Sequence, residues 1–405
     1  MTKVTLQDIK NAKETIKDIV KKTDILESVK LSAMTGANVF YKCENLQKTG
    51  SFKVRGACNK IANLTDEEKA NGVIASSAGN HAQGVALGAK MTGINATIVM
   101  PATAPLAKVT ATKGYGAEVV LNGLVYDDAY AKAVELQKET GATFLHPFND
   151  KYVIAGQGTI GLEILEQLDG KVDTILCPIG GGGIIAGIAV AAKGINPNIK
   201  IVGVQTANIP SMHESMKNGE VTEAFKATTI ADGIAVKTPG DVTFDIIKEL
   251  VDEVIVVEEE EIAQGMLFLM ENQKVVAEGA GAVSTAALLS GKYTPQKDEN
   301  VVCVISGGNV DVNTLYRVIG TALTKEARRY AFNTVIQDKP GGLAELTKII
   351  SEHDANILSA NLLRSSMGGA LGTLTAEMVL ETFNQEHIDT LKVAITKAGF
   401  EIVEI

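Results

Sequence analysis

Four stretches of this chain carry residue types that could do chemistry together. In the first, Glu44-Asn45-Leu46-Gln47-Lys48-Thr49-Gly50-Ser51-Phe52-Lys53-Val54-Arg55-Gly56-Ala57, Ser51 reads as a helix N-cap and puts Lys53 in the first turn. The helix dipole disfavours a cation there, so the amine is more readily neutral, as a Schiff-base nucleophile must be. The same position describes an ordinary solvated lysine. In the second, Ser76-Ser77-Ala78-Gly79-Asn80-His81-Ala82-Gln83-Gly84, small residues run from a strand into a helix and free backbone N–H groups for a carboxylate. A plain capped turn is the other reading. The third is Gly180, Gly181, Gly182 and Gly183, whose bare amides can converge on an anion ahead of a helix, or form only a flexible turn. It lacks the G-x-x-x-x-G-K-[ST] pattern of a nucleoside-triphosphate loop. The fourth is Ser306-Gly307-Gly308-Asn309, at the end of an apolar strand-like run.

These loops need a scaffold that brings distant segments together. Up to about residue 320, β-branched runs at 39–43, 73–76, 96–100, 118–121, 174–177, 199–204, 254–257 and 301–305 alternate with helical patterns at 53–63, 82–91, 104–113, 127–140, 160–168 and 184–193. That alternation predicts an α/β class with parallel sheets covered by helices. After Lys325 the pattern changes to strand 331–337, helix 343–353, strands 356–364 and 370–380, helix 385–398 and strand 401–403. This βαββαβ order is ferredoxin-like. A short charged linker is expected near 324–329.

Composition narrows the class. The 405 residues carry a net charge of −10, against a nucleic-acid or anionic-membrane surface. The run 174–192 is near membrane length, but Pro178 and the four glycines interrupt it, and the N-terminal residues lack a signal-peptide core. The four cysteines are widely spaced and the five histidines form no metal-ligand spacing, so reduced thiols, no metal and a cytoplasmic location are expected. Glu258 to Glu261 read as a dipole-favoured helix start.

Taken in order, the four motifs resemble the fold-type II (tryptophan-synthase-β-like) pyridoxal-phosphate enzymes, and among them the threonine dehydratases, over nearly the whole chain. The resemblance implies a two-lobed catalytic domain, residues 1–325, with a smaller lobe of about 45–150 inserted in the larger. It implies pyridoxal 5'-phosphate held by Lys53, Phe52, Asn80, Gly180, Gly181, Gly182, Gly183 and Ser306. Ser77, Ala78, Gly79, Asn80 and His81 would meet the substrate, L-threonine, with L-serine secondary. Lys53 is the implied catalytic base. Glu278 is placed near the cofactor by resemblance, or caps the helix after it.

The related serine racemases carry a serine where this chain has Ala78, and bind a divalent cation through a glutamate where it has Gln205. A methyl group cannot shuttle a proton, so elimination is favoured over racemisation and no strong divalent-metal requirement is expected. Serine dehydratase or racemase activity is the runner-up. A non-catalytic amino-acid sensor and a nicotinamide-dependent oxidoreductase are competing classes, distinguished by the yellow colour of a pyridoxal enzyme. Residues 330–405 resemble an ACT regulatory domain. Its ligand, isoleucine or valine, would sit at Pro340, Gly341, Gly342 and Leu343 and near Asn356, in a homotetramer or homodimer.

Overall fold

The computed structural model describes residues 4–364 and 371–405. The chain divides into two compact units, Met1–Thr314 and Leu315–Ile405, the boundary falling inside the helix Val312–Lys325.

The first unit holds two sheets. The larger runs in the order Ile25–Glu27, Asn38–Cys43, Asn300–Ile305, Thr174–Pro178, Lys200–Thr206, Glu253–Val257. Only its first pair is antiparallel; the other pairings are parallel. The smaller sheet is parallel throughout, in the order Glu118–Leu121, Ala96–Met100, Val73–Ser76, Thr143–Phe144. Central strands such as Val73–Ser76 and Thr174–Pro178 are buried at every position, which is why they read as unbroken apolar runs rather than alternating ones. The chain leaves the larger sheet after Cys43, builds the smaller one, and returns through the helix Lys151–Gln167. In open parallel sheets the loops at the carboxyl ends of strands are the ones free to bind. Three of the four motif loops lie there, after Val73–Ser76, Thr174–Pro178 and Asn300–Ile305.

The second unit contains the strands Arg329–Gln337, Asn356–Leu363, Thr373–Glu381 and Val403–Glu404, paired antiparallel, with the helices Gly342–Glu352 and Gln385–Lys397 between them. Alternate residues of Arg329–Gln337 and Thr373–Glu381 are buried, and Phe332, Met378 and Leu380 pack with Leu346, Ile350, Leu391 and Ile395. One sheet face is thus covered by the two helices. Residue 370, the expected start of the third strand, lies outside the described residues.

Some elements differ from expectation. The helix expected at 160–168 begins at Lys151, and the linker expected near 324–329 is shorter, the turn 326–328 between the helix Val312–Lys325 and the strand starting at Arg329. Among the described residues no helix is long and apolar enough to cross a membrane.

Candidate active site

One cavity of about 770 Å³ gathers residues from all four motifs. Phe52, Lys53, Ser77, Ala78, Gly79, Asn80, His81, Gly180 to Gly183 and Ser306 all border it. The sequence positions span more than 250 residues, and the two sheets bring them to one place.

Lys53 opens the helix Lys53–Ala62. Ser51 is not its cap. Phe52 already has helical backbone angles with no side-chain cap, because Ser51 pairs with Gly307 in a short antiparallel bridge and Phe52 N donates to Ser306 O at 3.0 Å. The lysine motif and the Ser306 turn are therefore stitched together through their backbones. Lys53 Nζ donates to Pro147 O at 3.0 Å. Burial pushes its pKa down to about 8, while the Glu278 carboxylate opposes that shift. An amine at that value is partly neutral near pH 7, which the first-turn position had suggested for a different reason.

Gly183 starts the helix Gly183–Ile195, and Gly182 before it sits at φ +97°, a conformation that glycine takes without strain. A Cβ at Gly181 would run into the Phe148 ring, and one at Gly183 would lie 3.0 Å from Phe148 Cβ. The loop is bare backbone by necessity, and it lines the cavity at the N-terminus of a helix, where amides lack intrahelical partners.

His81 does not carry a mobile proton. Its Nε2 is 2.9 Å from Leu145 O, and burial, with the Lys53 cation nearby, pushes its pKa down to about 3. The neutral ring donates to that carbonyl and fixes the start of the helix Asn80–Thr92. His146 is held neutral as well, down to about 4 by burial and Lys53, with Nδ1 accepting from Asn149 N at 2.9 Å.

Three further residues line the cavity, Glu278, Lys108 and Asp232. Glu278 makes no side-chain cap to the helix Gly279–Leu289; its Oε1 instead accepts from Asn80 Nδ2 at 2.7 Å inside the cavity. Burial and the neighbouring Asp232 push its pKa up to about 7, against the bond from Asn80. The Lys108–Asp232 ion pair, 2.9 Å, joins two further cavity residues that no local pattern marked.

Gln205 is fully buried with its amide engaged, Nε2 donating to Ile179 O and Oε1 accepting from His213 N. Glu258 and Glu261 form a capping box on the helix Glu259–Phe268. In the second unit, Gly341 (φ +92°) precedes the helix Gly342–Glu352 that Leu343 continues, Pro340 lies just before it, and Asn356 Nδ2 donates to Glu381 Oε2 at 3.3 Å.

Residues 16–307 match the family described as pyridoxal-phosphate dependent enzyme. The chain belongs to this family. It is 50 % identical over 399 residues to an L-threonine ammonia-lyase of Thermotoga maritima, covering 98 % of this chain and 99 % of that one. Maize serine racemase superposes with a TM-score of 0.75 at 39 % identity, over 80 % of this chain and all of that one. The processed form of tomato threonine deaminase isoform 2 superposes with a TM-score of 0.74 at 39 % identity, over 78 % of this chain and 87 % of that one.

The cavity suits the cofactor of this family. It offers an amine that burial keeps partly neutral, a glycine-lined helix start for a phosphate, and the hydroxyl of Ser306. Among the described residues no group of three or more metal-binding side chains is present.

Proposed function

We propose that this chain is a threonine ammonia-lyase, converting L-threonine to 2-oxobutanoate and ammonia, with L-serine as a second substrate. The observation that carries this reading is the Lys53 amine, lowered to about 8, in the same cavity as the glycine loop and a substrate loop whose central side chain, Ala78, is a methyl. Its 50 % identity to an L-threonine ammonia-lyase along the whole chain supports the choice of substrate.

In this reading Lys53 would be the point of attachment for pyridoxal phosphate, the amides of Gly180 to Gly183 would hold its phosphate, and Phe52, Asn80 and Ser306 would help to hold the rest of it. When bound, the cofactor supplies an electron sink that acidifies the substrate's Cα–H. Lys53 Nζ takes that proton. The backbone amides of Ser77, Ala78 and Gly79 at the start of Asn80–Thr92 receive the substrate carboxylate. His81 stays neutral and holds this loop in place through Leu145 O. Ser306 would offer the ring nitrogen a hydroxyl rather than a carboxylate, which would not favour its protonation, and the substrate's β-hydroxyl would leave as water. The released enamine hydrolyses in water to the keto acid and ammonia.

Elimination and racemisation separate on L-serine. The holoenzyme is expected to release pyruvate from L-serine without accumulating D-serine, read by chiral chromatography. D-serine as the main product would place the chain with the racemases instead. Threonine differs from serine by one methyl, worth about 1–3 kcal/mol in a fitted pocket.

The proposal extends to organisation. Residues 1–325 act as the catalytic domain, with the lobe of about 45–150 inserted, and 330–405 as an ACT regulatory domain in a cytoplasmic homotetramer or homodimer. The strand–helix–strand–strand–helix–strand order of the second unit supports the ACT assignment. Isoleucine or valine binds at Pro340, Gly341, Gly342, Leu343 and Asn356, where Gly341 and Gly342 leave amides at a helix start. The coupling to threonine is expected to be about 1–3 kcal/mol. Removing residues from Arg329 onward should leave a yellow, active core whose threonine saturation no longer responds to isoleucine or valine. A retained response in the truncated enzyme, or none in the intact one, contradicts the regulatory reading.

A further inference from the structure

Asn80 is gripped from both sides. Its Nδ2 donates to Glu278 Oε1 at 2.7 Å, and its Oδ1 accepts from Asn309 Nδ2 at 2.7 Å. Asn309 Nδ2 also donates to Thr49 O at 2.7 Å. A backbone carbonyl can only accept, so Thr49 dictates which end of the Asn309 amide points its way. The second hydrogen on that nitrogen then needs an acceptor, and the oxygen of Asn80 supplies it. The Asn80 nitrogen is thereby turned to Glu278, whose Oε1 accepts in either protonation state. The direction of the whole chain of bonds is set by one main-chain atom.

The backbone is built to hold Asn309 in this seat. Gly308 N donates to Gly50 O at 2.9 Å, beside the Ser51–Gly307 bridge. Gly50 has φ +71°, and a Cβ on it would collide with the Asn309 amide. Side-chain bulk at Gly50 and an asparagine at 309 exclude each other.

We propose that Asn309 is a positioning residue that fixes the Asn80 amide so that the cavity meets its remaining N–H and never its carbonyl oxygen, selecting an oxygen anion as the group bound there. With pyridoxal phosphate in place that group is an oxygen of the cofactor or of the substrate attached to it. The inference rests on the reading that Asn80 faces the cofactor. A misoriented Asn80 would present its carbonyl to the anion, which both removes a bond and adds repulsion.

The test is a double-mutant cycle read by binding and colour rather than turnover. Pyridoxal phosphate dissociation constants from equilibrium dialysis, and the visible absorbance across pH, are measured for wild type, Asn309→Leu, Asn80→Ala and the double variant. Asn309→Leu is expected to weaken binding about tenfold and to shift the pH dependence of the visible band. In the Asn80→Ala background the same substitution should change neither. Asn309→Ser, which cannot span both acceptors, must repeat this pattern if the leucine variant does not fold. Unaltered binding and colour in both position-309 variants, or equal effects with and without Asn80, overturns the proposal. A chain that binds the cofactor in this way yet leaves threonine untouched would instead contradict the proposed function.

Discussion

Replacing Lys53 with alanine will remove the yellow colour of the loaded enzyme and lower threonine turnover by about 1,000-fold or more. The effect is large because one amine serves as both attachment point and proton carrier, and nothing else at its place in the helix Lys53–Ala62 supplies a neutral amine. Lys53→Arg should not rescue it, since a guanidinium stays charged. A pH readout accompanies this. Burial lowers Lys53 from 10.5 to about 8, so its neutral fraction rises with pH and passes one half near 8. Uptake of pyridoxal phosphate by the apoenzyme should accelerate with pH with its midpoint near that value and level off above it, followed as the growth of visible absorbance. A near-wild-type rate in the alanine variant with cofactor bound contradicts the assignment.

The second large effect lies beneath the same helix. Arg55, two residues after Lys53, is fully buried and bonds Glu44 through Nε at 2.8 Å and Glu163 through Nη1 at 2.7 Å. Lys42 adds a 2.6 Å contact to Glu163, so two cations meet two carboxylates. Burial alone would raise the Glu44 carboxyl, but the charge and bonds of Arg55, with Lys42 and Thr23, hold it below its usual range. Its contribution to stability is therefore complete above its unfolded value of 4.5 and is lost as pH falls through the depressed native one. Arg55→Leu leaves two carboxylates facing one buried lysine, and about 3–5 kcal/mol of stability should go. A lower urea midpoint at neutral pH checks this. An unshifted midpoint would mean that the network relaxes into solvent.

Three of the cavity loops were legible because each is a run of small residues at the carboxyl end of a parallel strand, where glycine and serine stand out against apolar neighbours. The partners that orient them were not. Asn80 meets Glu278 and Asn309 from 198 and 229 positions away, and no local pattern encodes such a contact. Glu44 and Arg55 stood inside the lysine motif, but their burial depends on Glu163, supplied by a helix 108 residues beyond Arg55. That helix, Lys151–Gln167, starts ahead of the expected 160, and Gly156 and Gly158 in the added stretch are poor helix formers. They are instead contact points. A Cβ at Gly156 would lie 2.6 Å from Arg55 O and one at Gly158 would lie 2.8 Å from Gly187 O. Helix propensity yielded there to close packing on both neighbours. Ser51 shows the opposite case: a good cap in isolation, it is committed to Gly307 across the chain.

The most direct test of the account follows the carbon. Proton NMR of the holoenzyme with L-threonine should show threonine replaced by 2-oxobutanoate, with one ammonium released for each threonine lost and no allo-threonine appearing. A cofactor-loaded enzyme that leaves L-threonine unchanged, or epimerises it without releasing ammonia, would contradict the assignment of Lys53 and its cavity to threonine elimination.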